Sequence, residues 1–228
     1  MVFAGIVAGG MGNRMGTDLP KQYMEINAKP VIIHTIEKFL PYVDEIYIGV
    51  AQSWKDYTEK LVEKFNIQNK IRVVIGGENR SATLFAVIWE IKKNHKITKD
   101  DIILTHDAVR PFVTGKMIED NIEICKKCGA CGTFIPAVDT MCISKGGYMV
   151  EKIPDRSVMY NVQTPQTVKV DILYKLLEKY KNELEQFTDV CGLLCREGVP
   201  CGMAQGSREN IKITFPSDIA FAEGIIGK

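Results

Sequence analysis

The sequence has no apolar run long enough to cross a membrane and almost no excess of charge of either sign. No stretch approaches the roughly 18 consecutive apolar residues of a membrane-spanning helix. The 29 lysines and arginines are balanced by 28 aspartates and glutamates, so no global field attracts nucleic acid or an anionic membrane surface. The first residues also lack the zones of a secretory signal. We therefore expect a cytoplasmic protein that binds neither nucleic acid nor membrane.

The seven cysteines are an odd number, which is unsuited to a complete intramolecular disulfide framework. A chain of 228 residues can bury a core without covalent staples, which favours reduced thiols. Cys125, Cys128 and Cys131 have the spacing of part of an iron–sulfur ligand set. No Cys-Pro follows, and these thiols are predicted to diverge between the end of a helix at 122–127 and a strand at 131–136. A metal site here is therefore not favoured.

Two common phosphate-binding motifs are also missing from the glycine-rich loop that follows the first apolar segment. No Gly-Lys-Ser/Thr closes the loop, and Met15 stands where a dinucleotide fingerprint needs its third glycine. The loop instead combines four glycines with Arg14 and Lys21; the glycines are Gly9, Gly10, Gly12 and Gly16. Glycine permits positive φ and brings backbone N–H groups close to a ligand, and the two cations add positive charge. The loop is predicted to bind phosphate, with an ordinary surface turn as the alternative.

Strand-like and helix-like segments alternate along most of the chain, which predicts parallel strands joined by helical crossovers. Strands are predicted at 2–8, 45–51, 71–75, 101–105, 131–136 and 200–204, with 210–214 extended. Helices are predicted at 30–40, 54–65, 80–93, 116–127, 169–185, 189–197 and 216–226. No repeat, low-complexity tract or linker divides the chain. We expect one α/β domain over residues 1–228, built on a Rossmann-like, mostly parallel sheet flanked by helices.

The segment 139–168 interrupts this alternation. Short β-like pieces flank Gly146-Gly147, which is a hairpin signal, and the segment has no helix of its own. We expect residues 139–168 to form a β-arm that projects from the sheet.

The run His106-Asp107-Ala108-Val109-Arg110-Pro111 directly follows the fourth predicted strand of the alternating series. Ligands of open parallel sheets collect at the carboxyl ends of strands, so Asp107 is predicted to share a crevice with the glycine loop. Mg²⁺ binds through one or two carboxylates plus phosphate oxygens and water, so one aspartate is chemically sufficient. The alternative is a turn-capping Asp107 with Arg110 as its surface partner. His106 is either a structural imidazole or a base.

A second glycine turn, Gly76-Gly77, enters the helix predicted at 80–93. Helix N-terminal amides favour anionic or carbonyl oxygens, so this turn could read a nucleobase or ribose; ordinary capping by Asn79 or Ser81 is the alternative. Near the end of the chain, alternation directs Lys212 to the face opposite its two isoleucine neighbours.

Together these motifs resemble the cytidylyltransferases that activate sugar-alcohol phosphates, namely the enzyme that makes CDP-methylerythritol in isoprenoid synthesis and its ribitol-5-phosphate relatives. The resemblance runs nearly end to end through seven ordered blocks. These are 8–16 with Pro20-Lys21-Gln22, Gly76-Gly77 with Arg80, 106–111, Asp139-Thr140, Gln163-Thr164-Pro165-Gln166, Thr188-Asp189 and 210–214. The resemblance implies a fold of the nucleotide-diphospho-sugar transferase type.

The resemblance also implies roles for individual residues. The catalytic residues would be Arg14, Lys21, Arg156 and Lys212. Arg14 and Lys21 would contact the triphosphate and stabilise the transition state, and Arg156 and Lys212 would position the incoming phosphate. Asp107 would hold Mg²⁺. The nucleotide-binding set would be Ala8, Gly9, Gly10, Gly12, Gly77, Glu78, Arg80, Thr83 and Asp107. The acceptor-binding set would be Arg110, Thr140, Arg156, Thr164 and Lys212. Thr140 and Arg156 would reach across from the arm of a partner subunit in a homodimer.

The implied reaction joins CTP to a polyol phosphate and releases pyrophosphate. Val109 and the run Thr188-Asp189-Val190-Cys191 favour ribitol 5-phosphate as the acceptor, whereas the run 136–141 is closer to the methylerythritol enzymes. We expect ribitol 5-phosphate, with 2-C-methyl-D-erythritol 4-phosphate as the alternative. A nucleotide sensor without turnover is an alternative of another class, although it would not need Arg156 and Lys212.

Overall fold

The computed structural model describes residues 1–10 and 19–226, and Gly12, Arg14 and Gly16 lie outside this range. Its main sheet has seven strands in the spatial order β5-β4-β1-β6-β8-β7-β9. They are β1 (Val2–Ala8), β4 (Glu45–Val50), β5 (Ile71–Ile75), β6 (Ile102–Asp107), β7 (Ala130–Pro136), β8 (Tyr160–Lys169) and β9 (Gly202–Gln205). Only β8 among these seven runs antiparallel to its neighbours. The expected α/β fold on a mostly parallel sheet is confirmed.

Helices cover both faces of this sheet. They are α1 (Val31–Phe39), α2 (Lys55–Lys64), α3 (Arg80–Asn94), α4 (Gly115–Cys128), α5 (Val170–Lys179), α6 (Val190–Arg196) and α7 (Pro216–Ile226). A small separate ladder pairs β2 (Glu25–Ile26) with β3 (Lys29–Pro30). Among the described helices, none combines the length and the apolar character needed to span a membrane.

The side chains of β1 point alternately to the two faces of the sheet, which explains why the core has two halves. Ala4, Ile6 and Ala8 face the half built with α1, α2 and α4, whereas Phe3 packs into the half built with α3, α5 and α6. Successive side chains of a strand point to opposite faces, so an apolar residue at nearly every position marks a strand buried on both sides. This double burial fixes the carboxyl end of β1, where the glycine loop begins.

The predicted C-terminal boundary of the arm, residue 168, is wrong. Residues 160–168 belong to β8, which lies inside the main sheet between β6 and β7. Sequence reasoning missed this strand because it contains Pro165 and many polar residues, and its burial depends on partners elsewhere in the chain. The excursion from the sheet is therefore 137–159. Within it, every residue from 138 to 158 except Pro154 is exposed, and a single bridge joins Ile143 to Lys152.

Two other boundaries differ from the prediction. Strand β6 extends to Asp107, so this residue ends the strand rather than following it. Helix α5 ends at Lys179 instead of 185, and a turn and a short 3-10 helix, Leu184–Gln186, precede α6. The segment 210–214, predicted to be extended, has no regular secondary structure and joins no strand of the sheet.

Candidate active site

The carboxyl ends of the parallel strands surround a cavity of about 500 Å³. Its wall comprises the end of β1, the first turn of α3, the end of β6 and the segment that carries Lys212. Its lining residues are Val7, Ala8, Gly9, Gly10, Lys21, Gln22, Glu78, Asn79, Arg80, Thr83, Asp107, Ala108, Val109, Lys212 and Thr214. Asp107 and the start of the glycine loop therefore share one crevice, as the strand-end argument predicted.

Thr83, in the first turn of α3, explains why three strand ends carry glycine. A Cβ at Gly9 would lie 2.8 Å from Thr83 Oγ1, and a Cβ at Gly76 would lie 2.7 Å from the same atom. At Gly49 a Cβ would lie 2.5 Å from Thr83 Cγ2. The glycines therefore allow the carboxyl ends of β1, β4 and β5 to approach the helix closely. Neither Gly9 nor Gly10 adopts the positive φ that glycine permits, so the close approach to Thr83 is the reason for glycine at position 9.

Asp107 forms the centre of a cluster of three cations. Arg80 Nε lies 3.0 Å from its Oδ1, while Lys212 Nζ and Arg110 Nε lie 2.9 and 3.5 Å from its Oδ2. The backbone N–H of Asp107 donates to Thr164 Oγ1. Burial alone would raise the pKa of Asp107, which is only 6% exposed, but the three cations hold that pKa well below its usual range. Three positive charges thus face one carboxylate, and the cluster favours an anionic ligand.

Arg80 has donor capacity beyond its bond to Asp107. Both of its terminal nitrogens are buried and have no hydrogen-bond partner among the described residues. Buried donors normally have partners, because leaving one unpaired costs about 1–3 kcal/mol. Arg80 is also the first residue of α3, whose N-cap Asn79 accepts from Ala82 N. Both features fit an anion held at this helix N-terminus.

The 3-10 helix Lys21–Tyr23 contributes two adjacent side chains to the cavity. Lys21 Nζ donates to the Ile213 carbonyl at 2.8 Å. Gln22 Nε2 donates to the carbonyls of Ala8 and Gly10. Gln22 was not among the predicted site residues, although its position in the Pro20-Lys21-Gln22 motif was a signal.

Lys212 reaches Asp107 because the residues on either side of it, Ile213 and Asn210, are anchored in the protein interior. Ile213 is fully buried and Lys212 faces the other way, which confirms the alternation predicted from sequence. Asn210 Nδ2 donates to Gln163 Oε1 and to the Thr164 carbonyl. These polar supports were missed because their partners lie 47 and 46 residues away in the sequence.

Two predicted acceptor contacts lie behind the cavity surface. Thr164 is buried, and its hydroxyl accepts the bond from Asp107 N. Arg110 Nη1 donates to the Asn210 carbonyl at 2.8 Å. Both residues support Asp107 and Lys212 and are absent from the lining of the cavity, and their contact with the acceptor stays a prediction.

Thr140 and Arg156 lie on the arm and are exposed. Arg156 Nη1 donates to the Val138 carbonyl, and with Arg208 the side chain lines a separate cavity of about 390 Å³. Within one chain, therefore, the described structure does not bring Arg156 to the Asp107 cluster. Gly77, from the nucleotide-binding set, accepts from Thr83 Oγ1 at 3.2 Å beside the cavity.

His106 is favoured as a structural residue over a base. Burial lowers the pKa of His106 to about 4, so the ring is neutral near pH 7. Its Nε2 lies 3.1 Å from the Arg110 carbonyl and its ring packs against Phe39. The three cysteines with iron–sulfur-like spacing are free thiols in this structure. Cys125 and Cys131 are buried, and Cys128 is exposed.

The described residues contain no group of three or more His, Cys, Asp or Glu side chains arranged to hold a metal. Asp107 nevertheless fits an ion that is coordinated chiefly by phosphate and water. Its lowered pKa keeps it ionised. Only Arg80 Nε and Lys212 Nζ lie within about 3 Å of the carboxylate among the described cations, so lone pairs remain for an ion.

Comparison with known proteins identifies the family. The model of the family IspD, 2-C-methyl-D-erythritol 4-phosphate cytidylyltransferase, matches residues 2–228. The chain belongs to this family. It is accordingly a CTP-dependent cytidylyltransferase, which confirms the activity expected from the resemblance. Members of the family generally depend on a divalent metal.

Solved structures agree with this assignment. The 4-diphosphocytidyl-2C-methyl-D-erythritol synthase from Anaerococcus prevotii DSM 20548 is 27% identical with a TM-score of 0.85, over 100% of this chain and 96% of that chain. The 2-C-methyl-D-erythritol 4-phosphate cytidylyltransferase of Francisella tularensis is 27% identical with a TM-score of 0.81, over 98% of each chain. These findings favour methylerythritol phosphate, the alternative drawn from sequence, over the expected ribitol 5-phosphate.

Proposed function

We propose that this protein transfers the cytidylyl group of CTP to 2-C-methyl-D-erythritol 4-phosphate and releases pyrophosphate. The family match over residues 2–228 is the observation that carries the choice of acceptor. The cationic cavity supports the choice of reaction, because two anionic substrates must be brought together there.

The chemistry requires positioning and charge neutralisation more than proton transfer. An oxygen of the acceptor phosphate attacks the α-phosphorus of CTP in line, and the bond to pyrophosphate breaks. A phosphate monoester has a second pKa near 6, so the nucleophile is already largely a dianion at neutral pH. No general base is needed, which agrees with the burial of His106 and with a pKa lowered to about 4, which makes the ring a weak base. Preorganised cations then stabilise the charge that develops in the transition state.

In this proposal Lys21 and Arg80 bind the triphosphate. Lys21 lines the cavity beside the end of β1, and the unpartnered terminal nitrogens of Arg80 offer donors to phosphate oxygens. Arg14 remains a predicted third cation outside the described residues. Lys212, which lies against Asp107 but is 41% exposed at its side chain, is placed to meet the acceptor phosphate.

We propose Mg²⁺ as the divalent ion, with Asp107 as its protein ligand. When bound, the ion would neutralise part of the triphosphate charge. Because Asp107 already faces three cations, we expect it to take up the ion together with the nucleotide and not alone.

We further propose that two chains assemble through the arm 137–159 and that Arg156 and Thr140 act at the partner's site. Arg156 lies on the arm, at a cavity separate from the one that holds Asp107 in its own chain. The arm also exposes several large apolar side chains, which is typical of a protein interface. They are Tyr148, Met149, Val150, Ile153 and Val158.

The test is pyrophosphate release with CTP, Mg²⁺ and either 2-C-methyl-D-erythritol 4-phosphate or ribitol 5-phosphate, with kcat/KM compared. UTP, GTP and ATP serve as controls for the nucleotide. A higher kcat/KM with ribitol 5-phosphate would overturn the proposed acceptor. CTP binding without release with either acceptor would favour the sensor.

A further inference from the structure

Gln22 makes contacts that the roles above do not explain. The side chain is only 4% exposed, and its Nε2 donates to the Ala8 carbonyl at 2.8 Å and to the Gly10 carbonyl at 3.1 Å. Both partners are acceptors only, so the amide must present its nitrogen to them. Both hydrogens of that nitrogen are thereby used, one on the last residue of β1 and one on Gly10 of the glycine loop.

These two bonds tie Gly10 to the end of β1, which is itself held by pairing with β4 and by the close approach of Gly9 to Thr83. Among residues 1–10 and 19–226, no atom lies within 4 Å of a Cβ built at Gly10, so none of these residues packs against that side of it. In a trans peptide the N–H is antiparallel to the C=O. Holding the Ala8 carbonyl against Gln22 therefore turns the N–H of Gly9, a cavity-lining residue, away from Gln22.

The adjacent residue of the same 3-10 helix tethers the opposite side of the cavity. Lys21 donates to the Ile213 carbonyl, next to Lys212, while Gln22 holds the end of β1. One short helix thus connects the glycine loop to the segment whose lysine contacts Asp107.

We propose that Gln22 is a positioning residue for CTP: it fixes the Ala8–Gly10 backbone in the orientation that presents loop amides to the triphosphate. The inference rests on the proposed function, since it assumes that CTP occupies this cavity. Gln22 acts through the backbone and transfers no proton.

The test is Gln22→Met, which keeps the length of the side chain but removes the donor. Gln68→Met is the matched control, because Gln68 also lies in a 3-10 helix but is exposed and far along the chain from the loop. We expect Gln22→Met to lower kcat/KM for CTP roughly 10- to 100-fold through a higher KM and a lower kcat, because misplaced binding groups cost about this much. The KM of Gln22→Met for the acceptor should stay at the wild-type value. For Gln68→Met, kcat and both KM values should stay at wild-type values.

A lower melting temperature with unchanged kcat and KM for CTP would show a merely structural role and overturn the proposal. Equal increases in both KM values would overturn it as well. If Gln22→Met does not fold, the isosteric Gln22→Glu replaces it. Its added charge alone would raise the KM of both anionic substrates, whereas lost positioning would raise the KM for CTP selectively.

Failure of the proposed function gives a different result. In that case wild-type protein releases no pyrophosphate with either acceptor. Equilibrium dialysis with CTP then still compares wild type with Gln22→Met, and equal affinities would overturn the role of Gln22.

Discussion

The guanidinium of Arg80 contacts the carboxylate of Asp107 across 27 residues of sequence, with Nε 3.0 Å from Oδ1. The contact joins the first residue of α3 to the last residue of β6. It leaves both terminal nitrogens of Arg80 without partners among the described residues. Asp107 therefore orients the arginine, and the arginine keeps donor capacity for a ligand.

Asp107→Asn should lower both activity and stability. The amide has nearly the same shape but no charge, so three cations lose their common counterion. We expect kcat to fall about 100- to 1000-fold. The free energy of unfolding should fall by about 2–4 kcal/mol, a value reduced for the solvent screening of Lys212. Steady-state kinetics and urea unfolding measure the two effects.

Asp120→Asn is the matched control for this variant. Asp120 pairs with Lys116 at 2.8 Å on the surface of α4, where Lys116 is largely exposed. Such pairs contribute less than about 1 kcal/mol. Wild-type turnover in Asp107→Asn would contradict the assigned role of Asp107.

The stability that Asp107 contributes should depend on pH with a defined sign. The folded pKa is below the ordinary value of 3.8, so the contribution is fully present above about pH 5 and is lost as the pH falls below 4. The difference in unfolding free energy between wild type and Asp107→Asn should therefore narrow on acidification. Urea unfolding at a series of pH values checks this, and a difference that widens below pH 4 would contradict it.

Lys21→Ala and Arg14→Ala should each lower kcat at least 100-fold, because a preorganised cation typically contributes about this much. Lys38→Ala, which removes an exposed lysine of α1, is the control. The far-ultraviolet circular dichroism of all three variants should match wild type. Near-normal turnover of Lys21→Ala in a folded preparation would contradict its assignment.

Much of the cavity could be predicted from sequence because its parts lie at the ends of apolar strands. The run 102–105 marks a buried strand by hydropathy alone, and this places Asp107 at a carboxyl end. The same reasoning placed the glycine loop at the end of β1. The contact between Arg80 and Asp107 could not be derived in this way, since it depends on which helix crosses which strand.

Strand β8 shows where sequence reasoning failed. Its buried residues include Gln163, Thr164, Gln166 and Thr167, which hydropathy assigns to the surface. Their burial is stabilised by partners such as Asn121 and Asp189, which lie 46 and 23 residues away. Buried polar groups are satisfied by tertiary hydrogen bonds that no local pattern reveals.

The close packing of Gly9 against Thr83 should appear as a coupling energy. All three atoms nearest to a Cβ at Gly9 belong to the Thr83 side chain, the closest at 2.8 Å. Gly9→Ala alone should destabilise the fold by about 1–3 kcal/mol through overpacking. In Gly9→Ala with Thr83→Ala the clash is absent, so the double-mutant cycle should show a favourable coupling of about 0.5–3 kcal/mol. Additive urea-unfolding energies would contradict the contact.

The proposed exchange of Arg156 between subunits can be tested by mixing two inactive variants. Lys21→Ala removes a cation from the active site of its own chain. Arg156→Ala removes a cation that, in the proposal, acts at the active site of the partner chain. A mixed dimer then has one site with both defects and one site with neither. Random reassociation of equal amounts makes half of the dimers mixed, so activity should recover to about a quarter of wild type. Light scattering establishes the dimer, and each variant reassociated with itself is the control. If Arg156 serves its own chain, every site retains one defect and the mixture stays inactive.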